Sequence, residues 1–390
     1  MLDIFETHAH YHAEQFDEDR DAILVAMHEG FSRPEKEPKN DTLSASKQYA
    51  DGAAENAAEN LKNLQEIAAD GAAAGFDAEE KPYRIRTIVD IAAELDSLGK
   101  VMELTRKYDF IYGAIGLHPD EIADLTPETE EKIRILLQDP KIVAVGEIGI
   151  DYYWNKEARD VQIAGFQKQI DLAVEYGLPI IVHSREAAED TMNVVKANAA
   201  ALTAAVRARR ETAAAQLPDK TAAAASDAKM FCETAASASA VQMHGEFPST
   251  VSAVQMNVES SSTAGTAQNR PGTATGDAAL QRVCPGIIHC YSYSVEHARM
   301  YVDMGFMLGI GGVVTYKNAK KLKEVVRAIP LENLVLETDC PYLAPTPFRG
   351  KRNDSRLLAF VAEEIAAIKE ISAEEVAAAT MKNARELFAI

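Results

Sequence analysis

IVAVGEIGIDYYWNKEARDVQIAGFQKQIDLAVEYGLPIIVHSRE, residues 142–186, is the stretch whose reading decides the fold. Ile142–Ile148 is a short, β-rich apolar run, and Pro179–Val182 is a second. Between them Asp160–Tyr176 places Ile163, Phe166, Ile170 and Val174 at helical spacing, with Gly177 and Pro179 following as stop signals. Strand, helix, strand in this order is a βαβ unit with parallel strands. The first run carries Glu147 near its end, and His183 directly follows the second.

Working outward, six more runs share the pattern: Leu2–Thr7, Arg84–Ile91, Ile111–Leu117, Gly286–His289, Phe306–Ile310 and Leu334–Glu337. Each precedes a segment with helical patterning. Eight parallel strands, each followed by a helix, describe an α/β TIM (β/α)8 barrel, for which ~250 residues is typical. The chain has 390 residues, and the excess falls in two insertions at helix-to-strand connections, 32–82 and 197–282. The first holds a Pro/Lys/Glu stretch and an Ala-rich portion open to helix formation. The second holds 25 alanines. Its early part, ALTAAVRARRETAAAQL, suits an extension of the preceding helix. Beyond Pro218 its composition is that of a disordered segment. The whole chain reads as one barrel domain carrying these two insertions.

An apolar fraction of 47 % supports a substantial core. No run approaches the ~18 apolar residues of a membrane span, and MLDIFETHAH lacks the pattern of a signal peptide. Four cysteines, Cys232, Cys284, Cys290 and Cys340, make no disulfide framework. A reducing cytoplasm is the expected location. The net charge of −20 argues against broad neutralisation of nucleic-acid phosphates. It leaves room for an enzyme that meets a phosphodiester at a metal. Neither insertion is a basic arm: residues 32–82 carry 11 acidic and 6 basic side chains, and residues 197–282 carry 7 of each.

Catalytic groups of a TIM barrel project from the C-terminal ends of its strands. Here those ends hold His8 and His10, Glu147, His183, His289 and Asp339. Imidazole and carboxylate suit divalent first-row metals. His8 and His10 are two apart, so on an extended backbone both point to one side. A lone His-x-His is weak evidence. Five strand ends presenting such residues are hard to explain as packing, because buried ionisable groups are costly unless paired or coordinated.

The motifs THAHYH, GLHPDE, VGEIGIDYYW, PIIVHSREA, IIHCYS, GGVVTYKNAKKL and ETDCPYLAPTPFRGKRN resemble the TatD family of metal-dependent deoxyribonucleases. The resemblance spans nearly the whole barrel and omits the insertions. It implies a barrel hydrolase acting on DNA, as an exonuclease or an endonuclease, with two divalent ions (magnesium, manganese or zinc). By this resemblance His8, His10, Glu147 and Asp339 would hold one ion. Glu147, His183 and His289 would hold the other, with Glu147 bridging. Two ions ~3.5–4 Å apart can activate a shared water and steady both oxygens of an in-line displacement. Asp339 is placed both to bind metal and to accept a proton from that water.

Other residues have two readings each. His118 either faces substrate or makes a structural hydrogen bond before Pro119. Arg185 either meets phosphate or forms a supporting salt bridge. Arg349, Lys351 and Arg352 form either a phosphate clamp over the active-site face or a solvated loop. Cys290 and Cys340 each follow a ligand and so are expected to point into the barrel–helix layer. An amide, ester or lactone hydrolase remains the enzymatic alternative, since the same activated water attacks a carbonyl. A non-catalytic scaffold is disfavoured because every ligand position is filled.

Overall fold

The computed structural model describes residues 1–34, 83–154, 158–216 and 282–390. Its eight strands are all parallel and pair in chain order: β1 (Leu2–Ala9), β2 (Tyr83–Ile91), β3 (Ile111–Ile115), β4 (Ile142–Asp151), β5 (Ile180–Arg185), β6 (Gly286–Ile288), β7 (Met307–Ile310) and β8 (Leu334–Leu336). The barrel closes between β1 and the chain leaving β8. Thr7 Oγ1 donates to Leu336 O (2.9 Å), and the Asp339 N–H donates to His8 O (3.0 Å). Closure therefore sets the first and last strand ends side by side.

A helix follows every strand: α1 (Arg20–Glu29), α2 (Ser97–Lys107), α3 (Pro127–Leu136), α4 (Arg159–Tyr176), α5 (Ala188–Gln216), α6 (Val295–Asp303), α7 (Lys320–Ala328) and α8 (Leu358–Lys369), with α9 (Ala373–Phe388) last. α4 ends as its sequence predicts. Gly177 takes φ 64°, and a side chain there would meet Ala205 O of α5 at 2.8 Å. α9 opens with a capping box: Ser372 Oγ accepts from the Glu375 N–H, and the Glu375 carboxylate accepts from the Ser372 N–H. It packs on β1 and β8, with Phe388 stacked on Phe5.

Strand limits differ from the sequence reading at both extremes. β4 and β5 run on to Asp151 and Arg185 because their register continues through Asp151↔Arg185. Polar residues at a strand end look like loop when read alone. β6 and β8 stop one residue early, because pairing has ceased where the chain bends toward Cys290 (φ 45°) and Asp339 (φ 59°).

Helix α5 continues through 197–216, burying Leu202 and Val206, so the early part of the second insertion is helical. The expectations for the Ala-rich part of 32–82 and for the stretch beyond Pro218 lie outside the described residues. The barrel unit comprises Met1–Arg210 and Arg282–Ile390; a second unit, Glu211–Gln281, is described only at the end of α5. No described helix is long and apolar enough to cross a membrane.

The barrel interior explains where the site stands. Ile181, Ile287 and Val335 are buried in one cluster with Phe5, Leu387 and Phe388. Each fully buried Ile or Leu contributes ~1.5–3 kcal/mol. His183 comes two residues after Ile181 on the same side of β5, while His289 and Glu337 stand just past the ends of β6 and β8. The apolar floor thus lies below and the polar groups above.

Candidate active site

The six residues proposed from the strand ends converge. His8 Nε2 lies 3.2 Å from His10 Nε2, 3.3 Å from Glu147 Oε2 and 3.7 Å from Asp339 Oδ1. His10 Nε2 is 3.4 Å from Asp339 Oδ1 and 3.9 Å from Glu147 Oε2. The other oxygen of Glu147 faces elsewhere: Oε1 is 2.8 Å from His183 Nδ1 and 3.7 Å from His289 Nε2. Two donor groups thus share one carboxylate, His8–His10–Asp339 and Glu147–His183–His289.

These spacings fit a metal. Ligand atoms ~2.0–2.2 Å from one tetrahedral ion stand roughly 3.3–3.6 Å apart, and the His8–His10, His8–Glu147 and His10–Asp339 separations of 3.2, 3.3 and 3.4 Å come close to it. Two imidazole nitrogens that close also need something positive between them or a proton on one. His8, His10, Glu147 and His289 are all buried, whereas the Asp339 side chain keeps 20 % of its exposure. Asp339 is therefore the carboxylate of the site most open to solvent.

The electrostatics are those of a tight mixed-charge cluster. Burial alone would lower every imidazole. The side chains of Asp339 and Glu147 nevertheless hold His10 up to about 9. Asp151 and Glu147 likewise raise His183 to about 9, and Glu337 and Glu147 raise His289 to about 10. His8 goes the other way, lowered by burial and by the charge on His289. Burial pushes Glu147 and Asp339 up, yet the surrounding imidazoles hold both below the usual carboxylate range.

A supporting layer orients these groups, and the sequence reading missed it. Glu337, fully buried, sits 3.2 Å from His289 Nδ1 and accepts from the Cys290 N–H at 2.6 Å. Asp151 Oδ2 lies 3.0 Å from His183 Nε2. The Ile91 carbonyl is 2.8 Å from His10 Nδ1. Asp90, at the end of β2, accepts from the Tyr11 N–H (2.5 Å) and lies 2.9 Å from His12 Nδ1. Such partners fix the ring and raise its basicity as a ligand. Glu6 joins the two ends of the barrel: Oε1 accepts from the His8 and Thr338 N–H groups, and Oε2 from Ser355 Oγ. Burial raises its carboxyl to about 8. Signals for some of these existed: an Asp in the apolar run RIRTIVDI, and a Glu two residues before Asp339, directly after the apolar run of strand eight.

The residues with two readings now separate. His118 makes the structural hydrogen bond, its Nδ1 accepting from the Asp120 N–H at 3.2 Å. Its ring also lies edge-on to His183, with centroids 4.3 Å apart, so it borders the site as well. Burial and the charge on His183 lower it to about 4. Arg185 forms no ion pair among the described residues. Its guanidinium lies over Tyr153, 3.8 Å from the ring centroid.

The clamp of three cations requires correction. Arg352 is committed to Asp19 through two hydrogen bonds of 2.8 and 2.5 Å and covers Phe16. It ties the loop after β8 to the start of α1. Arg349, over Tyr316, and the exposed Lys351 remain directed to solvent. Cys290 is a second correction. β6 ends before it and its φ is 45°, so strand alternation no longer sets its direction. Burial and the nearby Asp339, Glu337 and Glu147 carboxylates push its thiol well up, which puts it beside the site. Cys340 is buried in the core, as expected.

Comparison with known proteins agrees with this picture. The family model described as TatD related DNase matches residues 57–249 and 272–389. The chain is 35 % identical over 310 residues to YabD, an uncharacterized metal-dependent hydrolase of Bacillus subtilis (strain 168), covering 80 % of this chain and 90 % of that one. It is 27 % identical over 311 residues to TatD, an uncharacterized metal-dependent hydrolase of Mycobacterium tuberculosis (strain ATCC 25618 / H37Rv), covering 78 % and 87 %. The crystal structure of YjjV, a TatD homologue from Escherichia coli K12, superposes with a TM-score of 0.60 at 21 % identity, covering 99 % of this chain and 98 % of that one. The protein is a (β/α)8-barrel metal-dependent hydrolase and belongs to the TatD-related DNase family.

Proposed function

We propose that the protein hydrolyses phosphodiester bonds of DNA with two divalent ions. His8, His10, Glu147 and Asp339 would hold one, and Glu147, His183 and His289 the other. The observation that carries this reading is the divided carboxylate of Glu147, whose Oε2 faces His8 and His10 while Oε1 faces His183 and His289. An all-imidazole and carboxylate donor set suits zinc or manganese, with magnesium admitted by the carboxylates.

When bound, such ions lower the pKa of a shared water and neutralise charge on the transferred phosphoryl group. The remaining work belongs to the chain. Asp339, the most solvent-open carboxylate, accepts the proton of the attacking water. His118, neutral at physiological pH and with Nδ1 already accepting a hydrogen bond, carries its proton on Nε2 and can donate it to a phosphate oxygen. Arg185, Arg349 and Lys351 supply mobile positive charge at the C-terminal rim of an acidic barrel. The apolar floor keeps water from entering beneath.

An amide, ester or lactone hydrolase would use the same donors. Cations and exposed aromatic rings at the rim favour the phosphodiester. The test is direct: the metal-loaded protein is incubated with end-labelled single-stranded DNA and with a panel of carboxyl esters and amides. Turnover of the esters or amides without DNA cleavage would replace this reading with its rival.

A further inference from the structure

Beside the site stand two aromatic side chains that neither the core nor the proposed hydrolysis uses. Tyr153 is 50 % exposed and Trp154 67 %. Their rings meet edge to face, with centroids 4.7 Å apart. The guanidinium of Arg185 lies 3.8 Å from the first centroid and 5.6 Å from the second. Single exposed apolar residues are ordinary; a pair of large rings with a cation on it is a patch. Arg185 makes no ion pair among the described residues and brings a positive charge to the patch.

The patch is fixed to the metal-ligating groups. Asp151 Oδ1 accepts from the N–H groups of Tyr153 (2.8 Å) and Trp154 (3.3 Å), while its Oδ2 lies 3.0 Å from His183 Nε2. Asp151 is itself buried, its N–H and carbonyl both bonded to the Gln162 amide. Tyr152 adds a bond to Asp190 at 2.6 Å and takes the Arg185 carbonyl at 2.9 Å. One carboxylate thus sets both the orientation of His183 and the height of the two rings. The exposed indole of Trp154 with a cation beside it, held at one position relative to the reacting phosphate, matches a nucleotide in both chemistry and charge.

We propose that the indole of Trp154, braced edge to face by Tyr153 and flanked by Arg185, forms a shelf on which a nucleobase next to the scissile phosphate stacks. The inference rests on the DNA reading above and adds to it a contact with a base beside the scissile phosphate. Stacking is tolerant of sequence, because every base has a π face.

Trp154 is the only tryptophan in the chain, so its fluorescence reports the shelf alone. The metal-loaded protein is titrated with a hydrolysis-resistant phosphorothioate oligothymidylate and with an abasic chain of the same length and charge. The oligothymidylate should quench Trp154 and bind about tenfold more tightly than the abasic chain. Trp154→Ala should erase that difference, and Trp154→Phe should restore most of it. On cleavable DNA, Trp154→Ala should raise KM about tenfold with kcat within about twofold, because its backbone N–H still reaches Asp151. Metal content should not change. Equal binding of the two chains without quenching, by a protein that cleaves DNA, would overturn the shelf and leave the DNA reading standing. Failure of the parent protein to cleave any DNA would overturn that reading, and the shelf with it.

Discussion

A methyl group on Gly309 would stand 2.0 Å from the carboxylate of Glu337. Glu337 fills the space that β7 leaves open and from there reaches His289 Nδ1 and the Cys290 N–H. It is fully buried, with one oxygen held by the Cys290 N–H, so it has little room to retreat. Gly309→Ala is therefore expected to weaken metal affinity about 10–100-fold, the usual loss when the partner of a ligating histidine is disturbed. Calorimetric metal titration alongside a thermal melt measures this. Unchanged affinity in the folded variant would show that Glu337 does not orient His289.

Glu147→Ala removes the group on which both donor sets converge. Metal stoichiometry should fall, and turnover should drop by more than about a hundredfold, beyond the loss from a supporting residue. The fold should survive, because the apolar floor lies beneath the site. Elemental analysis of the folded variant checks the bridge: full metal content would contradict it.

The raised imidazoles set a pH dependence. In the metal-free protein His10 and His183 sit at about 9 and His289 at about 10, against 6.5 for an unperturbed imidazole. A raised histidine adds stability that is complete below pH 6.5 and is lost as pH climbs through its folded value. Stability without metal should therefore decline from pH 6.5 toward 9–10. Glu6, raised to about 8, acts with the same sign. Metal affinity should rise across the same window, because ions must displace those protons. Proton release on metal addition, followed in weakly buffered solution, gives the measurement. Metal uptake without proton release at neutral pH would show that the imidazoles are already neutral.

Arg352 should behave unlike its two neighbours. Arg352→Ala leaves the Asp19 carboxylate, only 9 % exposed, without its partner and should cost ~1.5–3 kcal/mol in denaturant unfolding. Arg349→Ala with Lys351→Ala should leave stability unchanged, raise KM for DNA and flatten its salt dependence. A salt slope identical to that of the parent would return both residues to the role of a solvated loop.

Residues 217–281 join α5 to β6 in the chain, and β6 begins at Gly286, its end away from the metal-ligating side chains. That face of a TIM barrel serves stability. Replacing residues 218–280 by a short Gly/Ser linker should leave kcat/KM and cooperative melting nearly intact. A loss of more than about tenfold, ~1.4 kcal/mol of transition-state stabilisation, in a protein that melts normally would show that this segment acts in catalysis.

The sequence by itself determined the barrel and the six convergent side chains. Both are legible because they depend on local rules. Alternation with period two places His8 with His10, and His183 above Ile181, without reference to the rest of the chain. Apolar spacing marks α4 and its Gly177 stop in the same way. What tertiary structure decided is every relation between strands. No local pattern shows that Gly309 clears room for Glu337, or that Glu6 ties the end of β1 to the chain beyond β8. None shows that Arg352 is drawn off to Asp19, residues apart by most of the chain. Cys290 shows the limit most plainly. Its direction was inferred from alternation, and alternation ends where strand pairing does, at Ile288. Pairing is a property of two segments together, and the residues of either one alone do not contain it.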